Sequence, residues 1–189
     1  MRYRHLVVLT TLSCSLAVGG ETQSNAPDRQ PATLTNGLNY IDFTGDNVND
    51  LVVVGHRENF NAHSFEVVTF FTNETVVRDK PKTWQIVPMF RGDGKELLQI
   101  MVSGGADCVL RDFRLLPRSR TLILAERDLG SSFADTGLVT FTTFRLAENK
   151  DAEPGRPVFS FEEDVTIRSD HKYCDVGDAF QGELGIPQA

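Results

Sequence analysis

Along most of the chain, short apolar or alternating runs are separated by clusters of Gly, Asn, Asp and Pro. The runs lie near Leu38–Phe43, Leu51–Gly55, Ser64–Thr72, Thr83–Phe90, Glu96–Val102, Cys108–Leu116, Thr121–Glu126, Leu138–Leu146 and Val158–Ile167, and they are rich in Val, Ile, Phe and Thr. β-Branched and aromatic residues at that spacing, bounded by turn formers, read as strands. Nine short strands predict an all-β domain folded as a two-sheet antiparallel β-sandwich. In the third run Val67, Thr69 and Phe71 fall on one face and Glu66, Val68 and Phe70 on the other, so that strand is expected to be covered on both sides. A short helix is expected to start near Asp175 and run past Phe180, packing its apolar residues across an open end. Trp84 alternates with Ile86 and reads as core, not as a platform for a sugar.

The first twenty residues break this pattern. Met1-Arg2-Tyr3-Arg4-His5, the apolar Leu6 to Val18 and the small Gly19-Gly20 form a secretory signal peptide, with cleavage expected after Gly20. Its apolar core is too short for a membrane span of about 20 residues. Cys14 raises the alternative of a lipoprotein, but Leu12 stands one place too late for a good lipobox. Residues 21–34 are expected to form a mobile polar leader, and residues 35–189 a single β-sandwich domain. Losing Arg2 and Arg4 and no acid takes the formal charge from −7 to −9. Such an acidic protein is a poor partner for nucleic acid or an anionic membrane. Only Cys108 and Cys174 remain after cleavage. In an exported protein an even pair reads as one disulfide, the alternative being two buried thiols.

One stretch carries candidate chemistry. Asp42-Phe43-Thr44-Gly45-Asp46-Asn47-Val48-Asn49-Asp50 places oxygen donors at alternate positions of one short loop. A hard cation takes six to eight oxygens at about 2.3–2.6 Å, and alternate residues of a tight loop can all turn inward to supply them. The ligand set would be Asp42, Thr44, Asp46, the Val48 carbonyl and Asp50, with one divalent ion, calcium by donor type, acting as a structural staple. Gly45 and Asn47 suit the left-handed conformations such a loop needs. An EF-hand would place Glu at the twelfth position, where Val53 stands inside an apolar run, so the loop feeds a strand. The stretch resembles the calcium loop of integrin-type FG-GAP repeats. It occurs once, which argues against a propeller. The alternative is a solvated acidic turn.

Catalytic patterns are sparse. There is no Gly-x-Ser-x-Gly, no Walker loop, and His56, His63 and His171 form no zinc pattern. Ser169-Asp170-His171-Lys172 matches Ser-x-x-Lys without the companion boxes of the serine β-lactamases. The chain therefore reads as a non-enzyme. His56 and His63 flank a polar loop with Arg57, Glu58 and Asn59, which reads either as a recognition loop or as a hydrogen-bonded turn.

Larger blocks then agree in order: Tyr40 to Phe43 through Asp50 to Val53, Gly55 to Phe65, Ser103-Gly104-Gly105-Ala106-Asp107-Cys108 with Asp112-Phe113-Arg114, and Tyr173 to Phe180. Together they resemble the carbapenem intrinsic resistance proteins of the CarG type over nearly the whole exported chain. That resemblance implies a periplasmic immunity protein shielding a carbapenem producer from its own antibiotic beside a second immunity protein. It also implies a β-sandwich with short terminal helices, a homodimer and a bound cation. The implied fold is related in shape to inhibitors of invertebrate-type lysozyme, which insert a Ser-Gly-x-x-Tyr loop into their target. Here Asp107 replaces the tyrosine, which removes the aromatic anchor and adds a charge.

Protection without catalysis leaves two routes, holding the drug or shielding a periplasmic target. A drug-binding pocket needs a cation for the drug's carboxylate, and Arg57, Arg111 and Arg114 are the candidates. The alternatives in another functional class are an envelope protein-inhibitor and a calcium-dependent glycan-binding module.

Overall fold

A computed structural model of the chain describes residues 29–60, 63–74, 81–105 and 108–188. The predicted signal peptide and residues 21–28 of the predicted leader lie outside these residues. The described chain runs β1 (Gly37–Ile41), β2 (Asp50–Arg57), β3 (His63–Glu74), β4 (Thr83–Ile86), β5 (Met89–Phe90), β6 (Glu96–Leu97), β7 (Ile100–Gly105), β8 (Arg111–Leu116), β9 (Thr121–Arg127), β10 (Gly137–Glu148), β11 (Phe159–Tyr173) and α1 (Val176–Leu184). One sheet has the order β1-β2-β3-β4, with β7 also paired to β3, and the other has the order β6-β5-β11-β10-β9-β8. The expected all-β sandwich is what forms. One pairing, between β5 and β11, is parallel rather than antiparallel.

Two predicted strands divide for a shared reason. The run Thr83–Phe90 becomes β4 in the first sheet and β5 in the second, and the run Glu96–Val102 becomes β6 in the second and β7 in the first. A segment that changes sheets must leave one ladder before joining the other. At the first crossing Val87 still donates its N–H to the Phe70 carbonyl, while the Pro88 carbonyl already accepts from Phe161 in the other sheet. Proline has no N–H to continue a ladder, so the break falls there.

Phenylalanines fill the space between the sheets. Phe70 on β3 meets Phe43, Phe113 and Phe161 at ring-centroid distances of 6.1, 6.0 and 5.5 Å. These edge-on contacts join both sheets and the segment after β1 in one cluster that includes Val52, Val68, Leu122 and Phe144. The end of the predicted leader is held against it: Ala32 donates to the Leu115 carbonyl at 2.8 Å, and Ala32 and Leu34 pack on the core. The leader expected to be mobile through residue 34 is therefore anchored over its last residues, where apolar side chains cover the exposed edge of β8.

The helix forms where expected. The Asp175 side chain caps it by accepting from the Gly177 amide at 2.6 Å, and Gly185 ends it in the left-handed conformation at φ 63°. Its buried residues Val176, Ala179 and Phe180 cover the outer face of the second sheet over Leu116, Ile123 and Phe141. Trp84 corrects the sequence reading. It pairs with Asn73 on the outer face of the first sheet and is 43% exposed, not buried in the core. Alternation identifies the two faces of a strand but not which of them a second layer covers.

Cys108 and Cys174 form the expected disulfide, with Cα atoms 5.1 Å apart and a sequence separation of 66. It ties the start of α1 to the segment before β8. Arg127 supports the same join, donating to the carbonyls of Cys174 at 2.9 Å and Phe133 at 2.7 Å. Closing a loop of this length is worth roughly 4 kcal/mol in the chain-entropy account. Cys174→Ser, or reduction, should lower the melting temperature by roughly 5–15 °C in calorimetry. An unchanged melting temperature would show that α1 is held by packing alone.

Candidate functional site

The Asp42–Asp50 loop is closed by its own backbone. Asp42 accepts from the Gly45 amide at 2.6 Å and the Asn47 amide at 2.9 Å, and Asp46 accepts from the Val48 amide at 2.8 Å and the Thr44 hydroxyl at 3.3 Å. Asp50 accepts from the Phe43 and Thr44 amides, both at 2.9 Å. Gly45 and Asn47 take positive φ values of 81° and 65°, as the sequence implied. Burial pushes the Asp50 carboxyl up, and the Asp46 charge adds to this, against the amides that pull it down. Among the described residues no ion pair joins Asp42, Asp46 or Asp50. Nor does any group of three or more His, Cys, Asp or Glu converge as a metal site. The donor types suit a hard cation, but the carboxylates turn to backbone amides and not to one point.

The recognition stretches come together at one end of the sandwich. Register pairs Phe65 with Ser103, Ser64 with Gly104 and His63 with Gly105, so the β2–β3 turn and the end of β7 are neighbours. His56 and Arg57 end β2. Glu58 staples the turn by accepting from the Asn59 and Phe60 amides at 2.9 and 2.8 Å, with the His56 ring 3.6 Å from its other oxygen. Those bonds, the one from Phe60 first, hold the Glu58 carboxyl below its usual range. The next residue the turn presents is Phe60, 95% exposed and at φ 56°. A bulky side chain in the left-handed region is uncommon. His63 packs edge-on to Phe133, with ring centroids 6.1 Å apart. Asp107 lies outside the described residues.

The three candidate arginines separate. Arg57 is exposed at the strand end. Arg114 is 5% exposed, donates to Asp112 and to the Phe113 carbonyl, and lies 4.5 Å over the Phe180 ring, so it is built into the α1 packing. Arg111 lies on the core-side face of β8 at its half-exposed rim, where it and Arg91 both bond Glu126. Burial works against Glu126 ionising, but the Arg91 hydrogen bond and the two guanidinium charges outweigh it and hold the carboxyl below its ordinary range. Sequence reading missed Arg91 and Glu126, because nothing in the sequence announces the meeting of two residues 35 positions apart. Ser169 of the Ser-x-x-Lys match is buried, with its hydroxyl donating to the His171 carbonyl at 2.7 Å and accepting from the Val139 amide at 2.8 Å.

Sandwich, disulfide and loop-rich end thus define a small all-β protein whose candidate surfaces are loops and a cationic patch at the rim of the core. The fold superposes on the crystal structure of CarG with a TM-score of 0.64, covering 85% of this chain and 99% of that one at 23% identity. No curated protein matches the chain significantly. Residues 34–182 match the CarG-like carbapenem resistance proteins, and the chain belongs to that family.

Proposed function

We propose that the chain is a non-enzymatic periplasmic immunity protein that protects a carbapenem producer by holding the drug, working beside a second immunity protein. Membership of the carbapenem resistance family over residues 34–182 is the observation that carries this reading. The disulfide supports an oxidising compartment. The engagement of Ser169 with backbone groups supports a role without a serine nucleophile. One observation favours a second reading, the shielding of a periplasmic target: Phe60, after β2, is an aromatic side chain 95% exposed, the residue type that anchors interfaces. Expression in a carbapenem-sensitive Gram-negative host, with the partner protein, should raise the inhibitory drug concentration only for the exported form. Purified protein should bind the drug and leave it intact. Hydrolysis would overturn the non-enzymatic reading. Protection without drug binding, abolished by Phe60→Ser, would establish shielding instead.

We also propose that the Asp42–Asp50 loop takes one divalent cation, calcium by donor type, held by Asp42, Thr44, Asp46, Asp50 and the Val48 carbonyl. Among the described residues Asp50 has no cationic partner, which supports this, since an ion there would offset the cost of its burial and its repulsion by Asp46. Calcium should raise the melting temperature of chelator-treated protein, and Asp50→Asn should remove the response. No shift in the unmutated protein would assign the loop's closure to its amides alone.

For the assembly we propose a homodimer through the outer face of the first sheet. Across that face register aligns Tyr40, Leu51, Phe71 and Ile86 in one row, with Leu38, Trp84 and Met101 beside it. Leu38 and Tyr40 are 60% and 57% exposed. A contiguous apolar face that includes aromatics is the signature of a contact surface. Sedimentation should give a dimer, and Trp84→Glu a folded monomer. A dimer that survives this change would place the interface elsewhere.

A further inference from the structure

We infer that a cleft between the β5–β6 hairpin and the β8–β9 pair is the carboxylate-binding site of this protein, with Arg91, Lys95 and Arg111 supplying the charge. The inference rests on the drug-holding reading above and names the site at which it would occur.

The hairpin turn makes two of the three cations neighbours. Arg91 donates its amide to the Lys95 carbonyl at 2.9 Å, and Gly94, at φ 81°, donates back to the Arg91 carbonyl at 2.8 Å. Only glycine takes that conformation without strain, so Gly94 is what allows so tight a turn. Residues opposite each other in a ladder share a face, and side chains two apart along a strand share it too. Arg91 and Lys95 therefore project on the side of Met89 and Leu97, which pair in the same hairpin. Met89 is fully buried, so that side is the core side. Arg111 arrives from the opposite edge of the same curled sheet, on the face of Phe113 and Leu115.

The three cations meet around a cleft of about 90 Å³ that has Leu97, Ile100 and Leu124 as its apolar floor and no acidic residue in its lining. Glu126 lies beside it, taking one Nη2 from Arg91 and one from Arg111. Its charge balances one cation. Two positive charges remain in a chain whose net charge is −7. Among the described residues the other N–H groups of both guanidiniums and the Lys95 ammonium have no hydrogen-bond or ion-pair partner. Glu126 thus holds the two arginines side by side with donors to spare, an arrangement suited to a planar carboxylate.

Of three other clefts, one of about 530 Å³ beside Pro31 and Pro117 offers Arg118 as its single cation, and two set acids against their cations. The one at the β10–β11 turn is lined by Glu148, Asp151, Glu153 and Glu162 against Lys150 and Arg156. The one beside α1 sets Glu66, Asp112 and Asp175 against Arg114. In the Arg91–Arg111 cleft the volume admits a carboxylate head and the atoms next to it, while a whole drug-sized ligand needs ~300 Å³ or more. The bicyclic remainder of a carbapenem would lie at the mouth, with its carboxylate directed inward.

Titration calorimetry with meropenem and its carboxyl methyl ester tests this on the folded, disulfide-bonded protein. Lys95→Glu leaves the Arg91–Glu126–Arg111 bonds in place, and Arg111→Gln removes one guanidinium; circular dichroism checks that both variants fold. The unmutated protein should bind meropenem, and the ester should bind at least about tenfold more weakly, as should both variants with meropenem. Unchanged affinity in Lys95→Glu, with the unmutated protein binding, would overturn the site and leave drug holding to another surface. No binding by the unmutated protein would overturn the drug-holding reading, and this assignment with it.

Discussion

Burial of Phe70 against Phe43, Phe113 and Phe161 is the constraint on which the remaining geometry depends. Each of those partners fixes a different surface feature. Phe43 follows Asp42 directly and anchors the acidic loop at its first turn. Phe113 lies two residues beyond Arg111 on the same face of β8, so its packing aims Arg111 at the rim of the core. Phe161 pairs with Met89, two residues before Arg91, and thereby places the hairpin that carries Arg91 and Lys95. Loss of a buried phenylalanine costs about 3–5 kcal/mol where measured, and here it would also misplace groups far from the ring.

Around that core the two sheets do different work. The second sheet curls until the hairpin after β5 reaches β8 and β9, and Arg91 and Arg111 close the gap through Glu126. Its outer face is covered by α1, which the Asp175 cap and the Cys108–Cys174 bridge hold at its first turn. The first sheet has no such cover among the described residues, and its outer face keeps exposed Leu38, Tyr40, Trp84 and Met101. One layer is thus completed within the chain while the other presents apolar side chains outward. The difference follows from where the chain places its only described α-helix.

The acidic loop shows how local chemistry can have two uses. Asp, Asn and Gly at this spacing supply oxygens for a cation, and they also supply acceptors for the amides of a tight turn. In the folded chain the amides take the carboxylates. Turn closure and the proposed ion binding would draw on the same atoms, so their balance depends on conditions that spacing alone does not encode.

Strand positions, a short helix starting near Asp175, the left-handed Gly45 and Asn47 and the cysteine pair were all legible in the sequence, because each is set by residues close together or by the identity of one residue type. The family blocks were legible for the same reason. Tertiary structure alone decided that two apolar runs would each be divided between sheets, and that Trp84 would face outward while Arg114 became buried. It also decided that Arg91, Lys95 and Arg111 would surround one cleft. Alternation records that a strand has two faces; which face is covered, and which distant strand supplies the neighbouring charge, is fixed only when the sheets curl and pack around Phe70.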